Sequence, residues 1–257
     1  MVDFCWQVDN EDWLGGNMRA HGIDISHWQG FYKHQVNPPR PVDFIIQKLT
    51  EGIYRDVAYS ALKASIQPVP IKGGYHYFRG QWNWKQQMDV FLGQLDGYDF
   101  WSIDFEKGGN FSGLPVLNKP YPGLVESLPL ALEYMKKYSG KPGLLYTGAG
   151  TWMDWLRPIW SEVDHYDLWV AHYWLPITVR NPEGKPNYFT IRGAETMRKD
   201  WRFWQYDDKG FNNQGKLFGV ASYGLDLNVF NGDVAALHAW AKPVLQKLCP
   251  TCGQTIP

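Results

Sequence analysis

Phe100-Trp-Ser-Ile-Asp-Phe-Glu106 is a short aromatic and β-branched run that ends on two acids, and it reads as a strand delivering carboxylates at its C-terminal end. Working outward, runs of the same kind recur at 22–26, 44–50, 72–78, 143–147, 168–174, 203–206 and 224–229, making eight with 100–106. Gly or Pro bounds them, and stretches of helical period usually follow. Trp84, Met88, Phe91, Leu92 and Leu95 fall on one helical face. Leu128, Ala131, Leu132 and Met135 fall on another, with Ser127 as N-cap, Pro129 in the first turn and Gly140 just past the end. A third helix begins after Asp233. This alternation predicts an α/β fold with parallel strands inside and helices outside, and eight strands close into a TIM-like barrel. Helices are expected after the first five strands and not after all of the last three, because 176–200 and 207–222 carry no helical period.

The 257 residues suit one barrel, with no repeat or linker dividing them. The expected organisation is an N-terminal arm over 1–20, a single barrel over 21–245 and a tail over 246–257. A net charge of -1 offers no positive field for nucleic acid, and no apolar run reaches the roughly 18 residues of a membrane span. The chain is expected to be monomeric. Its acidic start is unlike a secretory signal, so export by another route or a start at the mature end is expected. Cys5, Cys249 and Cys252 are too few and too terminal to staple the fold, and Cys249-Pro-Thr-Cys252 supplies only half of a zinc ribbon. Neither the cysteines nor the seven histidines form a metal-binding motif, so no metal or cofactor is expected. Aromatics are in excess, with 14 Trp, 15 Tyr and 13 Phe, and their flat faces suit sugar rings as well as cores.

Acids cluster at strand ends. Asp24 lies in Gly22-Ile-Asp-Ile-Ser-His-Trp-Gln-Gly30, Asp104 and Glu106 end the opening run, and Asp226 lies in Gly224-Leu-Asp-Leu-Asn-Val-Phe230. The C-terminal strand ends of a parallel barrel gather at one mouth, so these four acids are expected to converge. Asp104 and Glu106, two apart on a strand, point the same way. Crowding carboxylates into a partly dry pocket raises at least one pKa, and this arms a general acid, as in glycosidases. Asp-x-Glu alone is weak, since Asp9-Asn-Glu11 repeats it, but only the Asp104 pair follows an apolar strand.

Gly22-Ile-Asp-Ile-Ser-His-Trp-Gln-Gly30, Lys48-Leu-Thr-Glu-Gly52, Gly73-Gly-Tyr-His-Tyr-Phe78, Ser102-Ile-Asp-Phe-Glu106, Trp204-Gln-Tyr206 and Leu225-Asp-Leu-Asn-Val-Phe-Asn-Gly232, in this order, resemble the family 25 glycoside hydrolases. These are the Chalaropsis-type lysozymes of phage endolysins, bacterial autolysins and some fungi. The resemblance implies a flattened (β/α)5(β)3 barrel and N-acetylmuramidase activity on the glycan strand of bacterial peptidoglycan, at the cell wall. It implies that Glu106 is the proton donor, that Asp104 assists the nucleophilic step, and that Asp24 and Asp226 complete the mouth. Asp104 either attacks C1 directly or orients the substrate N-acetyl group, and the second is favoured by analogy with the Asp-x-Glu of family 18 chitinases. Tyr75, Tyr77, Trp101, Tyr173, Trp174, Trp204 and Tyr206 are candidates for sugar contact, with Tyr75, Tyr77 and Trp204 preferred. Glu51 and Asn228, inside two of the matching motifs, join them as substrate-binding candidates. A catalytically silent glycan-binding barrel and a chitinase-like hydrolase are the alternative readings.

Overall fold

The structure, a computed structural model, describes residues 18–107, 120–173, 182–183 and 200–242. The first 17 residues, the tail with Cys249 and Cys252, and the candidate Trp174 lie outside the described residues.

The described strands are β1 (His21–Ile25), β2 (Phe44–Glu51), β3 (Tyr54–Arg55), β4 (Ile71–Tyr77), β5 (Phe100–Asp104), β6 (Gly143–Gly148), β7 (Asp167–Ala171), β8 (Trp201–Asp207) and β9 (Asp226–Phe230). Their hydrogen-bonded order is β1-β9-β8-β7-β6-β5-β4-β2-β3, and a further β1–β2 pairing closes eight of them into a barrel. The remaining strand, β3, is a hairpin extension of β2. Each of the eight runs read from the sequence is one of the barrel strands.

From β1 through β2, β4, β5, β6 and β7 to β8 every neighbouring pair is parallel. β9 is antiparallel to both β8 and β1, which corrects the expectation of parallel strands throughout. A parallel return needs a crossover of a dozen residues or more, usually a helix. Between β8 and β9 the chain makes only short helical turns, Gly210–Asn213 and Gly215–Phe218, so it re-enters the barrel from the end it left.

Helices α1 (Tyr59–Ser65), α2 (Trp84–Leu92) and α3 (Leu124–Ser139), then short helical turns within 149–163, cover the outside after β2, β4, β5 and β6. The helix expected after the first strand is instead one 3₁₀ turn, His27–Gln29, closed by a capping box between Ser26 and Gln29. α3 starts a turn before the expected cap Ser127, because Leu124 and Val125 extend its buried face. Gly123, at φ 74°, takes the cap position, and Pro129 lies inside the helix.

Strand residues alternate between two cores. Ile23, Ile25, Ile45, Leu49, Trp101, Ile103, Trp204 and Tyr206 belong to the outer layer. Phe44, Phe100, Phe203 and Phe230 belong to the inner one, as does Leu237 of the helix Val234–Ala241. Phe203 is the hub, with ring centroids 5.1 Å from Phe44, 5.3 Å from Phe100 and 5.2 Å from Phe230. Room for these rings comes from glycine beside them: a Cβ at Gly22 would stand 2.4 Å from the Phe44 ring, and one at Gly73 would stand 2.3 Å from Phe100. Trp240 closes this end of the barrel, 5.1 Å from Phe100 and 5.3 Å from Phe203, with its indole N–H donating to Asp167 at 2.8 Å.

Trp240→Ala removes that plug and is expected to cost about 3 kcal/mol of stability, the low end for a large aromatic because the ring is only partly buried. Trp240→Phe should restore most of it. Thermal unfolding of the two variants beside the parent checks both.

Candidate active site

Inward residues run from apolar to polar along each parallel strand that carries the site. β5 reads Phe100, Ser102 and Asp104, with Glu106 just past its end; β8 reads Phe203 and Gln205; β2 reads Phe44, Ile46 and Lys48. β9 reads the other way, Asp226, Asn228 and Phe230, because it runs the other way. The polar ends meet around a cavity of about 580 Å³ lined by Asp24, Asp104, Glu106 and Asp226. All four acids expected to converge do so. Asp226 arrives from the N-terminal end of its strand, opposite Asp24 in the β1–β9 register, and not from a C-terminal end as expected.

Hydrogen bonds fix which acid is the anion. Trp169 Nε1 donates to Asn228 Oδ1 at 2.8 Å, so the Asn228 amide nitrogen faces Asp24 and donates to its Oδ2 at 2.7 Å. The Tyr146 hydroxyl donates to Gln205 Oε1 at 2.9 Å, and Gln205 Nε2 donates to the same Asp24 oxygen at 2.8 Å. Two amide donors converging on one oxygen favour the ionised carboxylate. Burial nonetheless raises Asp24 to about 6, while the bonds from Asn228, Gln205 and Asp226 hold it down. Asp226 is pushed well above the usual range by burial and by the neighbouring Asp24, so it is the partner that carries the proton.

Burial, then the charge of Glu106, raises Asp104 well above its ordinary value. One of its carboxyl oxygens, Oδ1, is buried without a hydrogen-bond partner, although the residue lines the cavity. Burial also raises Glu106, opposed by a hydrogen bond with Tyr77 and by the charges of Lys48 and Arg79.

Those cations come with Glu51. A register shift in β2 between Lys48 and Thr50 turns both Leu49 and Thr50 outward, so Glu51 points into the mouth beside Lys48 although the two are three residues apart. Lys48 pairs with Glu51, and Arg79 Nε donates to Glu51 Oε1 at 2.8 Å. Burial would raise the Glu51 carboxyl, but the two cations outweigh it and hold it low. Lys48 and Arg79 also lie 5.1 Å and 4.3 Å from the centroid of the Tyr77 ring.

Tyr75 and Tyr77 line the cavity, as does Glu51. Asn228 does not: it lies fully buried behind Asp24 and orients that carboxylate, which corrects its reading as a substrate contact. Trp204 and Tyr206 are corrected as well. They flank inward-facing Gln205, so both turn to the outer layer, where Trp204 Nε1 donates to the His172 carbonyl at 2.9 Å. Trp101 faces outward for the same reason and donates to the Lys141 carbonyl. Tyr173 is half-buried within electrostatic reach of Glu106.

Sequence reasoning missed Lys48, Arg79, Tyr146, Trp169, Gln205 and Trp28 as lining residues. Trp28 is 74% exposed at the rim, its ring 4.5 Å from that of His27, whose Nδ1 is 2.8 Å from Asp56 Oδ2. Its signal was present, since an aromatic straight after the Asp24 strand falls at the mouth. Among the described residues no group of three or more His, Cys, Asp or Glu side chains is arranged to hold a metal ion.

A family model described as glycosyl hydrolases family 25 matches residues 23–214. Lysozyme M1 of Streptomyces globisporus is 27% identical over 236 residues, covering 86% of this chain and 71% of that protein. The uncharacterised protein YegX of Escherichia coli K12 is 29% identical over 231 residues, covering 86% and 72%. Among solved structures, a lysozyme from Streptomyces coelicolor superimposes with a TM-score of 0.64 at 24% identity, covering 88% of this chain and 98% of that one. A lysozyme from Aspergillus fumigatus gives a TM-score of 0.62 at 20% identity, covering 87% and 99%.

Carboxyls that titrate higher folded than unfolded stabilise the fold at low pH, and that stability is lost as pH rises through the folded value; for Asp24 the window runs from 3.8 to about 6. Asp104→Asn removes one such group. It should gain about 1–2 kcal/mol at pH 7 and nothing at pH 4, where both side chains are neutral. Asp24→Leu strands the Gln205 and Asn228 amides and should lose about 1–3 kcal/mol at both. Unfolding curves at the two pH values separate these opposite outcomes.

Proposed function

The chain belongs to glycosyl hydrolase family 25 and is a glycoside hydrolase, and from that premise we propose that it cleaves the β-1,4 bond between N-acetylmuramic acid and N-acetylglucosamine in bacterial peptidoglycan. One observation carries the reading: β1, β9 and the end of β5 deliver four carboxyls with divided protonation to one open cavity rimmed by tyrosine and tryptophan. A silent glycan-binding barrel has no need to hold four desolvated acids against their own repulsion. Work at the bacterial cell wall follows from this substrate.

In the proposed reaction Glu106, whose carboxyl burial raises above its ordinary value, gives its proton to the glycosidic oxygen as the bond from that oxygen to C1 of the muramyl ring breaks. Tyr77 holds the Glu106 carboxyl by a side-chain hydrogen bond. The anionic Asp24, with its two amide donors, offsets the positive charge that spreads over C1 and the ring oxygen. The substrate's acetamido oxygen then bonds to C1, while Asp104, lining the cavity, accepts a hydrogen bond from the acetamido N–H and so orients the group, the proton staying on nitrogen. Water, deprotonated by the Glu106 carboxylate, opens that intermediate and returns the proton to Glu106. Tyr75 and Trp28 supply the flat surfaces beside the sugar rings.

Glu106→Gln should lower kcat on purified peptidoglycan by about 10²- to 10⁴-fold with little change in KM. Mass spectrometry of the parent's products should find muramic acid at the new reducing ends, and chitin digested alongside should stay intact. New ends of N-acetylglucosamine, or a Glu106→Gln enzyme with parental kcat, would refute the assignment. A thiazoline analogue of the muramyl ring should inhibit tightly; a covalent adduct of a 2-fluoro sugar on Asp104 would point to direct attack instead.

A further inference from the structure

Eleven large apolar side chains are exposed among the described residues, and five of them, Trp28, Phe31, Val36, Leu217 and Tyr223, lie on two adjoining loops. One loop follows β1 and the other precedes β9. They are sewn together by a Tyr32–Val220 bridge, by Lys33 N–H donating to the Gly219 carbonyl at 2.7 Å, and by Ala221 N–H donating to the Gln29 carbonyl at 3.0 Å. The seam leaves no room for a side chain at Gly219, whose φ is +92° and whose Cβ would stand 2.0 Å from the Lys33 oxygen. Over it lies a shallow depression of about 370 Å³ lined by Phe31, Lys33, Gln35, Lys216 and the backbone of 219–221.

Three features set this depression apart. It adjoins the mouth, because Gln29 both lines the catalytic cavity and receives the bond from Ala221. Its cations are unpaired: in the mouth Lys48 and Arg79 pair with Glu51, whereas Lys33 and Lys216 form no ion pair with any acid among the described residues. Its floor is apolar, and the Lys216 ammonium stands 4.0 Å from the centroid of the exposed Tyr223 ring. An apolar patch rimmed by charge marks a binding surface, and this charge selects an anion carrying some apolar surface.

We propose that this depression is a second binding site that seats the acidic peptide stem of the muramyl residue while the glycan lies in the mouth. The proposal rests on the muramidase reading for the identity of the substrate. A stem peptide combines alanine methyls with free carboxylates. The cations of the mouth are already paired with Glu51, and the two lysines beside the mouth give the stem's charge a place to go. A strand stripped of its stems keeps only the lactyl carboxylate held against each muramyl ring, so it would use the aromatics but offer no apolar, acidic peptide to reach the lysines.

Lys33→Glu combined with Lys216→Glu tests this without touching the mouth. On stem-bearing glycan strands KM should rise about three- to tenfold with kcat unchanged, and the difference should shrink as salt is added. On the same strands after an amidase has removed the stems, the variant should match the parent. An equal change on both substrates, or no change on either, overturns the proposal. Cleavage of stripped strands by the parent reads the muramidase activity separately. A titration independent of catalysis keeps the two apart: L-alanyl-γ-D-glutamate added to ¹⁵N-labelled protein should shift the amides of Lys33, Lys216 and Gly219. Absence of those shifts at millimolar dipeptide overturns the site whether or not the protein cleaves glycan.

Discussion

Carboxyl groups held above a floor of phenylalanine rings cannot all be charged, and the chemistry of the mouth follows from how the protons are shared out. Asp24 receives two amide hydrogens on one oxygen and is the ion. Asp226, Asp104 and Glu106 are each raised, first of all by burial. Lys48 and Arg79 would neutralise this cluster if they were free to, but Glu51 claims both. The cations therefore moderate the acids from a distance, and burial still leaves the Glu106 carboxyl raised above its ordinary value. Each desolvated acid weakens the fold near neutral pH, a cost that a purely structural site would have no reason to carry.

The floor makes that arrangement possible. Phe203 with Phe44, Phe100 and Phe230 fills one end of the barrel, Gly22 and Gly73 leave space for the rings, and Trp240 seals the opening beneath. Among the described residues this apolar layer closes the barrel on the side away from the acids. Trp169 and Tyr146 stand between floor and mouth, and their polar atoms face upward to hold Asn228 and Gln205. An aromatic excess that suggested sugar binding is thus spent largely on packing, and on aiming two amides at one carboxylate.

The two loops beside the mouth extend the same logic outward. The turn after β1 carries Trp28 at the rim, then Phe31 and Lys33 on the neighbouring depression, so one short segment serves both surfaces. The loop before β9 meets it through backbone bonds and then turns directly into Asp226. Contact at the depression is thereby linked through a few residues to the acid opposite Asp24.

What the sequence alone determined was local: eight strands, the helices after 83 and 233, the acids at strand ends and, through six ordered motifs, the family. What it left undecided depended on partners distant in the chain. β9 runs in reverse, and the only local hint was its order of residues, Asp226 to Phe230, polar before apolar where β5 reads apolar before polar. Strands in a closed barrel are buried on both faces, so alternation cannot distinguish inside from outside. Hence Trp204 and Tyr206 looked as fit for the site as Gln205 between them, and a single bulge in β2 was enough to bring Glu51 to the side of Lys48. Only closure of the sheet chose one face of each strand as the interior, because that choice is made by neighbouring strands and not by the residues themselves.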